Sequence, residues 1–416
     1  MFEQTVIDRE VFGTGENLLL CGSVMQPPEA LLSLCGKVQC VYVDPPFGTG
    51  DTFERTRPYG EKGWKKGSPR LKLKGYEDRL EEADRLDLLE HIVTLGRELL
   101  EDTGLFYLHL DWRMTAQARL LCDRVFGPER FLNEIIWSYE SGGRSLKFFP
   151  RKHDTILLYA KTKQYKFDLK RAAVPRGEKR KNHMSRGVDE TGRAYSYIRT
   201  GGKEYRYYDD EPVCPGDVFS DISHLQQRDP ERTGYPTQKP LKLLERLLLP
   251  VVVDGDRVVD LCCGSGTTLE AAQRLNCRFA GLDSDPAAMA VSLARLRPEN
   301  LTVDCQSSAS PARLLTEEGG EKAGTTHLFR LTGLETQDPD APPEAAPLDP
   351  VESWETGEIR NGTFYAQKRW QRSFRYPALQ AETRTETPVS AVMVTDAAGV
   401  RRAFERKSPL VFSPAG

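Results

Sequence analysis

In VYVDPPFGTG, residues 41–50, an apolar run ends on a carboxylate, two prolines and an aromatic ring. Pro has a fixed φ and no N–H, so a Pro pair alone does no more than stop a strand. The same residues also fix two hydrogen-bond acceptors: the Asp44 carboxylate and the Pro45 carbonyl, stiffened by Pro46, with the Phe47 ring beside them. A second constellation lies more than two hundred residues downstream. RVVDLCCGSGTTLEAAQRL reads as strand, glycine turn and helix, with Gly264, Ser265, Gly266, Thr267 and Thr268 in the turn. Glycines let the backbone turn sharply and let a ligand lie directly on it. Asp283 falls 19 residues beyond Gly264, at the end of the next strand. An acid there takes both hydroxyls of a ribose. A dinucleotide site would carry GxGxxG facing a pyrophosphate. Here Asp260 precedes the turn, where it repels phosphate and suits an ammonium or a sulfonium. S-adenosylmethionine carries ribose, amine and sulfonium, and fits better than NAD or ATP. A tight turn among ordinary acids is the plain alternative.

Together the two constellations pose one chemical problem. The exocyclic amino nitrogen of adenine or cytosine is a poor nucleophile, because its lone pair is delocalised into the ring. Asp44 accepting one N–H and the Pro45 carbonyl the other would aim that lone pair at a sulfonium methyl, with Phe47 stacked on the base. Such a base must leave the duplex, at a cost of a few kcal/mol. Orientation supplies most of the catalysis, without a metal or a covalent nucleophile.

The elements that position these residues alternate. NLLLCG (17–22), VQCVYV (38–43), GLFYLHLDW (104–112), EIIWSY (134–139) and DTILLYAK (154–161) read as strands. Helical spacing appears in 76–100, in 115–127, from Pro240 onward, and after each of the strands RVVD and CRFAGLD. The pattern is α/β. Residues 50–79, rich in Gly, Lys, Arg and Pro, are expected to form a long loop. ETQDPDAPPEAAPLDPVES (335–353) reads as a linker, and 354–416 as a small β-rich region with a hairpin around Asp396–Gly399.

The chain has 416 residues, 39% of them hydrophobic and 29% charged, enough for two or three domains. No apolar run reaches the ~18–20 residues that span a bilayer. The N-terminus lacks a signal-peptide pattern. Nine cysteines without CxxC or Cys/His spacing imply a reduced, cytoplasmic chain with no structural metal. The net charge of −3 hides an asymmetry: Ser141–Tyr208 holds 18 Lys and Arg against 6 Asp and Glu, interleaved with aromatics. Cations meet phosphates and aromatics stack on unpaired bases, so Arg144, Lys147, Arg151, Lys152, Lys179, Arg180, Lys181 and Arg186 are the expected DNA contacts. A solvated basic face is the alternative.

On these residues the chain resembles the beta class of DNA amino-methyltransferases. DPPF (Asp44–Phe47) looks like their catalytic motif, and DLCCGSGTT (Asp260–Thr268) like their donor loop, usually DPFxGSGTT. YPTQKP (Tyr235–Pro240) looks like the segment just before that loop. The resemblance covers about 15–300. It implies a circularly permuted, Rossmann-like class I methyltransferase sheet flanked by helices, with a basic target-recognition insertion. The core halves would be 1–161 and 235–312, and the insertion 162–234. It further implies S-adenosylmethionine as donor, held by Asp260, Cys262, Gly264–Thr268 and Asp283, with Thr237 and Lys239 near its methionine end. Double-stranded DNA is the implied substrate. Adenine N6 is favoured over cytosine N4, because family practice links DPP with adenine. A homodimer and a cognate restriction endonuclease are further partners to consider. Two departures stand out: Cys262 replaces an aromatic, and Gly22-Ser23 replaces Gly-Asp. Rival readings are an RNA or protein methyltransferase, and a DNA-binding protein with a degenerate core.

Overall fold

The computed structural model of the chain describes residues 1–48, 50, 52–63, 71–77, 81–140, 145–175, 184–226, 229–320, 327–336, 346–373 and 376–407. Its organising element is Val38–Val43, buried at every position. A strand apolar on both faces belongs in the middle of a parallel sheet covered on each side by helices. Val38–Val43 pairs in parallel with Arg257–Asp260 on one side and Leu100–Leu110 on the other. Arg278–Asp283, Asn17–Cys21 and Leu301–Asp304 continue the parallel run. All six strands therefore present their carboxyl ends at one edge, where open α/β sheets bind ligands. Beyond Leu100–Leu110 the sheet ends in the antiparallel pair His153–Ala160 and Phe131–Ser138, followed by the short strand Val218–Phe219.

Helices cover both faces. Glu82–Leu99 and Thr115–Phe126 pack over the Val41 and Val43 side chains. Leu241–Leu248, Thr267–Arg274 and Pro286–Arg295 pack over Cys40 and Tyr42. The last of these starts as its sequence dictates: Pro286 occupies the first turn and Asp285 caps it, its carboxylate accepting the Ala287 N–H at 2.9 Å.

Three segments differ from the sequence expectation. Residues 50–79 contain paired strands, Thr52–Arg57 and Leu71–Glu77, in place of a continuous loop. This segment is tied to the far end of the chain by a buried Arg57–Glu352 ion pair and by the Gly60 N–H donating to the Asp349 carbonyl at 3.2 Å. The β-rich unit is also wider than 354–416. It includes Ala312–Gly320 and His327–Thr336, and its strand Val351–Arg360 begins inside the stretch read as a linker. Nor does it stand apart: Thr363–Gln371 pairs in parallel with Arg9–Phe12, which pairs with Leu301–Asp304, so the core sheet runs on into it. The expected hairpin is present as Ala391–Asp396 and Arg401–Arg406.

Within 162–234, Ser185–Val188, Ala194–Thr200 and Lys203–Tyr208 form a separate antiparallel sheet. Among the described residues, no helix is long and apolar enough to cross a membrane. No cluster of three or more His, Cys, Asp or Glu there could hold a metal.

Candidate active site

Register explains how two distant motifs meet. Asp260 lies opposite Tyr42 in the parallel pair, so the chain leaving Val43 and the chain leaving Asp260 emerge side by side. Strands lie about 4.8 Å apart. Asp283 lies opposite Cys21, which brings the Gly22-Ser23 turn to the same edge. One cavity of about 380 Å³ opens there. Its walls include Asp44, Pro45, Pro46, Phe47, Thr237, Lys239, Asp260, Cys262, Gly264, Ser265, Thr267, Thr268 and Asp283. All but one of the catalytic and donor candidates named above are thus in one place. The remaining one, Gly266, sits behind the wall as the left-handed cap of Thr267–Arg274, with φ +73°. A Cβ there would lie 2.7 Å from Ser292 Oγ, so the turn requires glycine.

Lys239 Nζ donates to Asp44 Oδ2, joining YPTQKP to the acidic corner across 195 residues. The ammonium also lies 5.3 Å from the centre of the Phe47 ring. The other oxygen, Asp44 Oδ1, is buried and has no hydrogen-bond partner among the described residues. A buried carboxylate oxygen left unsatisfied costs free energy unless a ligand supplies the donor.

The acids around the turn share one environment. Burial, the largest influence, pushes Asp260 up to about 7, with the charges of Asp44 and Asp283 adding to it. Hydrogen bonds from Thr268 and the Cys262 N–H act in the opposite sense. Asp283 is likewise pushed up to about 6 by burial, against the N–H groups of Asp285 and Gly264, which donate at 2.9 and 2.8 Å. Each Asp283 oxygen therefore holds one backbone donor and keeps a lone pair for a ligand. A cationic ligand would favour the charged form of both acids.

Several supports left no mark in the sequence pattern. Arg295 donates to Thr267 Oγ1 and to Glu231 Oε1, both at 2.9 Å, and also pairs with Glu270. Glu231 accepts the Leu241 N–H at 2.9 Å, and Thr267 Oγ1 donates to the Lys239 carbonyl at 3.2 Å. The GSGTT turn and the YPTQKP segment are thereby clamped together. Tyr235 and Asp285 also line the cavity, and Ser23 faces it where the resemblance would place an acid. Beneath the corner runs a buried polar chain. Tyr42 Oη bonds His109 Nδ1 at 2.9 Å, His109 Nε2 bonds Asp154 at 3.1 Å, and Tyr139 Oη donates to Asp154 at 3.0 Å. Burial pushes Asp154 up, but the His109 and Tyr139 hydrogen bonds and the His109 and Lys239 charges outweigh it and hold the carboxyl below its ordinary value. A histidine and an acid inside otherwise apolar strands were the available signals.

The expected DNA contacts are dispersed. Arg144, Lys179, Arg180 and Lys181 lie outside the described residues. Arg186 grips Asp209 through two hydrogen bonds of 2.6 Å. Its neighbours behave alike: Arg193 pairs with Asp210, and Arg199 and Arg206 with Glu204. Four of the eighteen cations counted in this block are therefore paired with acids on or just beside this sheet. Lys152 donates to the Glu140 carbonyl at 2.7 Å, Arg151 stacks 3.7 Å from the Trp112 ring centre, and Lys147 is exposed.

Comparison with known proteins decides the family. The DNA methylase family model matches residues 38–293, which hold both the acidic corner and the glycine turn. The chain belongs to the DNA methylase family. Methyltransferases of this family use S-adenosylmethionine. The type II methyltransferase M.EcaI of Enterobacter cloacae is 28% identical over 293 residues, 59% of this chain and 62% of that protein. The chain thus spans about three fifths of that relative's length. The DNA adenine methyltransferase YhdJ of Escherichia coli K12 is 25% identical over 73% of this chain and 87% of its own. Among solved structures, the cytosine-N4-specific PvuII DNA methyltransferase aligns over 71% of this chain and 92% of its own, at 16% identity and TM-score 0.45.

Proposed function

We propose that this DNA methylase moves a methyl group from S-adenosylmethionine to the exocyclic amino group of a base flipped out of double-stranded DNA, with adenine N6 as the acceptor. The observation that carries this reading is Asp44 Oδ1, buried and without a hydrogen-bond partner among the described residues, on a side chain that lines the same cavity as Asp260 and Asp283. The cavity's volume is in the range of small-molecule sites. Its acids suit a cationic ligand with a ribose, which makes the donor's fit a property of these side chains.

When bound, S-adenosylmethionine supplies a methyl made electrophilic by its sulfonium. Asp283 accepts the ribose hydroxyls, and Asp260 favours the positive end. Lys239 fixes Asp44 through Oδ2, so that Oδ1 points at one amino N–H of the base; the Pro45 carbonyl takes the other. Both acceptors localise the nitrogen lone pair. Transfer would form an N–C bond as the donor's C–S bond breaks, with the electron pair leaving on sulfur and the proton from the methylated nitrogen passing to water. Phe47 stacks on the base, opposite the pull of the duplex.

Adenine is favoured because the corner begins with Asp44, and because the Escherichia coli relative is by name an adenine methyltransferase. Cytosine N4 methylation by the same steps is the alternative. The order of corner, insertion, YPTQKP and glycine turn supports a circularly permuted core, with 162–234 containing the target-recognition region. Relatives with type II names support a cognate restriction endonuclease as a partner. The test is sequencing that reports modified bases, run on DNA from cells expressing the chain or its Asp44→Ala variant. A single modified motif, absent with the variant, is expected. Unmodified DNA from both would refute the reading.

A further inference from the structure

The strand pair Phe131–Ser138 and His153–Ala160 ends in a tip that the mechanism above does not use. It rises at the edge where the cavity opens. His153–Ala160 runs antiparallel to Leu100–Leu110, with Thr155 opposite Leu110, and Leu100–Leu110 lies parallel beside Val38–Val43. The residues at its base reach toward the site: Tyr139 bonds Asp154, and Asp154 feels the charge of Lys239, the partner of Asp44.

Among its described residues, the tip leaves apolar side chains in solvent. Leu146 is fully exposed, Phe149 is 96% exposed, and Phe148 is 56% exposed. Ser145 Oγ accepts the N–H groups of Lys147 and Phe148 at 3.2 and 3.3 Å, which holds the turn in shape. Cations flank the apolar residues. Lys147 is exposed, and Arg151 lies on the Trp112 and Phe148 rings at 3.7 and 4.9 Å from their centres. Exposed leucine and phenylalanine interleaved with phosphate-seeking cations form a wedge, the device by which proteins enter a base stack.

Resting on the proposed function, we propose that Leu146 and Phe149 insert into the duplex and occupy the space left by the flipped base, while Lys147 and Arg151 hold the adjoining phosphates. The wedge offsets part of the unstacking cost, so it matters most where the target base is well paired.

The experiment uses the full chain and duplexes carrying the motif found by base-modification sequencing, with 2-aminopurine at the target position. One set is fully paired; a second has a mismatch opposite the target, which lowers the cost of flipping. The Leu146→Ala/Phe149→Ala double variant should lose at least tenfold in binding and in the 2-aminopurine fluorescence rise on paired DNA. It should recover most of both on mismatched DNA, with donor affinity unchanged. Equal losses on both duplexes, or no loss on either, would overturn the wedge while leaving the methyltransferase reading standing. If the parent chain transfers no methyl group to any DNA, the reading beneath it fails and the wedge with it.

Discussion

Replacing Asp44 by Asn keeps the shape of the corner and removes its charge. Two effects combine. Lys239 takes the single amide oxygen of Asn, so an NH2 faces the base amino group and the hydrogen bond to a charged acceptor, worth about 1.5–3 kcal/mol, is lost. At about 1.4 kcal/mol per factor of ten, its loss slows transfer by roughly 10- to 150-fold. The second effect is geometric. Lys239 and Asp44 are 13% and 16% exposed at their side chains, so the ammonium loses its charged partner in a mostly buried place. A displacement of about 1 Å at the reacting centre costs another ~100-fold. Together a fall in kcat of about a thousandfold or more is expected. The groups assigned to the ribose remain untouched, so donor Kd should stay within about threefold. Single-turnover transfer of a labelled methyl group reads the first quantity and calorimetry the second, with a thermal melt confirming the fold. Turnover within about tenfold of the parent would refute the acceptor role.

Other outcomes follow from the same geometry. Asp283→Ala removes the acceptor for two ribose hydroxyls and should weaken donor binding by about 10- to 100-fold in calorimetry; unchanged affinity would remove Asp283 from the donor site. Because burial raises Asp260 to about 7 and Asp283 to about 6, both lose their charge as pH falls through those values. Donor affinity should therefore fall from pH 7 toward 5, and binding near pH 6 should release protons, seen as a dependence of the calorimetric heat on buffer ionisation; a flat profile with no proton release would contradict the assignment. Lys147→Glu with Arg151→Glu should lower the salt slope of DNA affinity by about 0.9 for each phosphate that the cations no longer neutralise. A slope equal to the parent's would put the DNA on another face.

What the sequence disclosed, it disclosed through local rules. A continuous apolar run ending in DPPF identifies a central strand and its carboxyl end, and two strand–turn–helix units in succession identify the donor side. Because parallel strands align their carboxyl ends, placing both motifs at strand ends nearly places them together. Side-chain partners across strands were not legible. The Tyr42–His109–Asp154 chain and the Arg295 clamp join residues 67, 45 and 64 positions apart, and each depends on register. For a related reason the tally of Lys and Arg does not show that Asp209, Asp210 and Glu204 face four of those cations across the sheet or its turn. The hairpin strands Thr52–Arg57 and Leu71–Glu77 were hidden by their Lys, Arg and Gly content. The β-rich unit was underestimated because Ala312–Gly320 and His327–Thr336 pair with each other and are extended only by the distant Glu382–Thr385.

The most direct measurement is a structure of the full chain with the methyl donor and target duplex bound. Expected is a sulfonium methyl carbon about 3–3.5 Å from an extrahelical amino nitrogen, with that nitrogen hydrogen-bonded to Asp44 Oδ1 and the Pro45 carbonyl. A donor seated outside the Gly264–Thr268 turn, or a base whose amino group faces away from Asp44, would contradict the shared site.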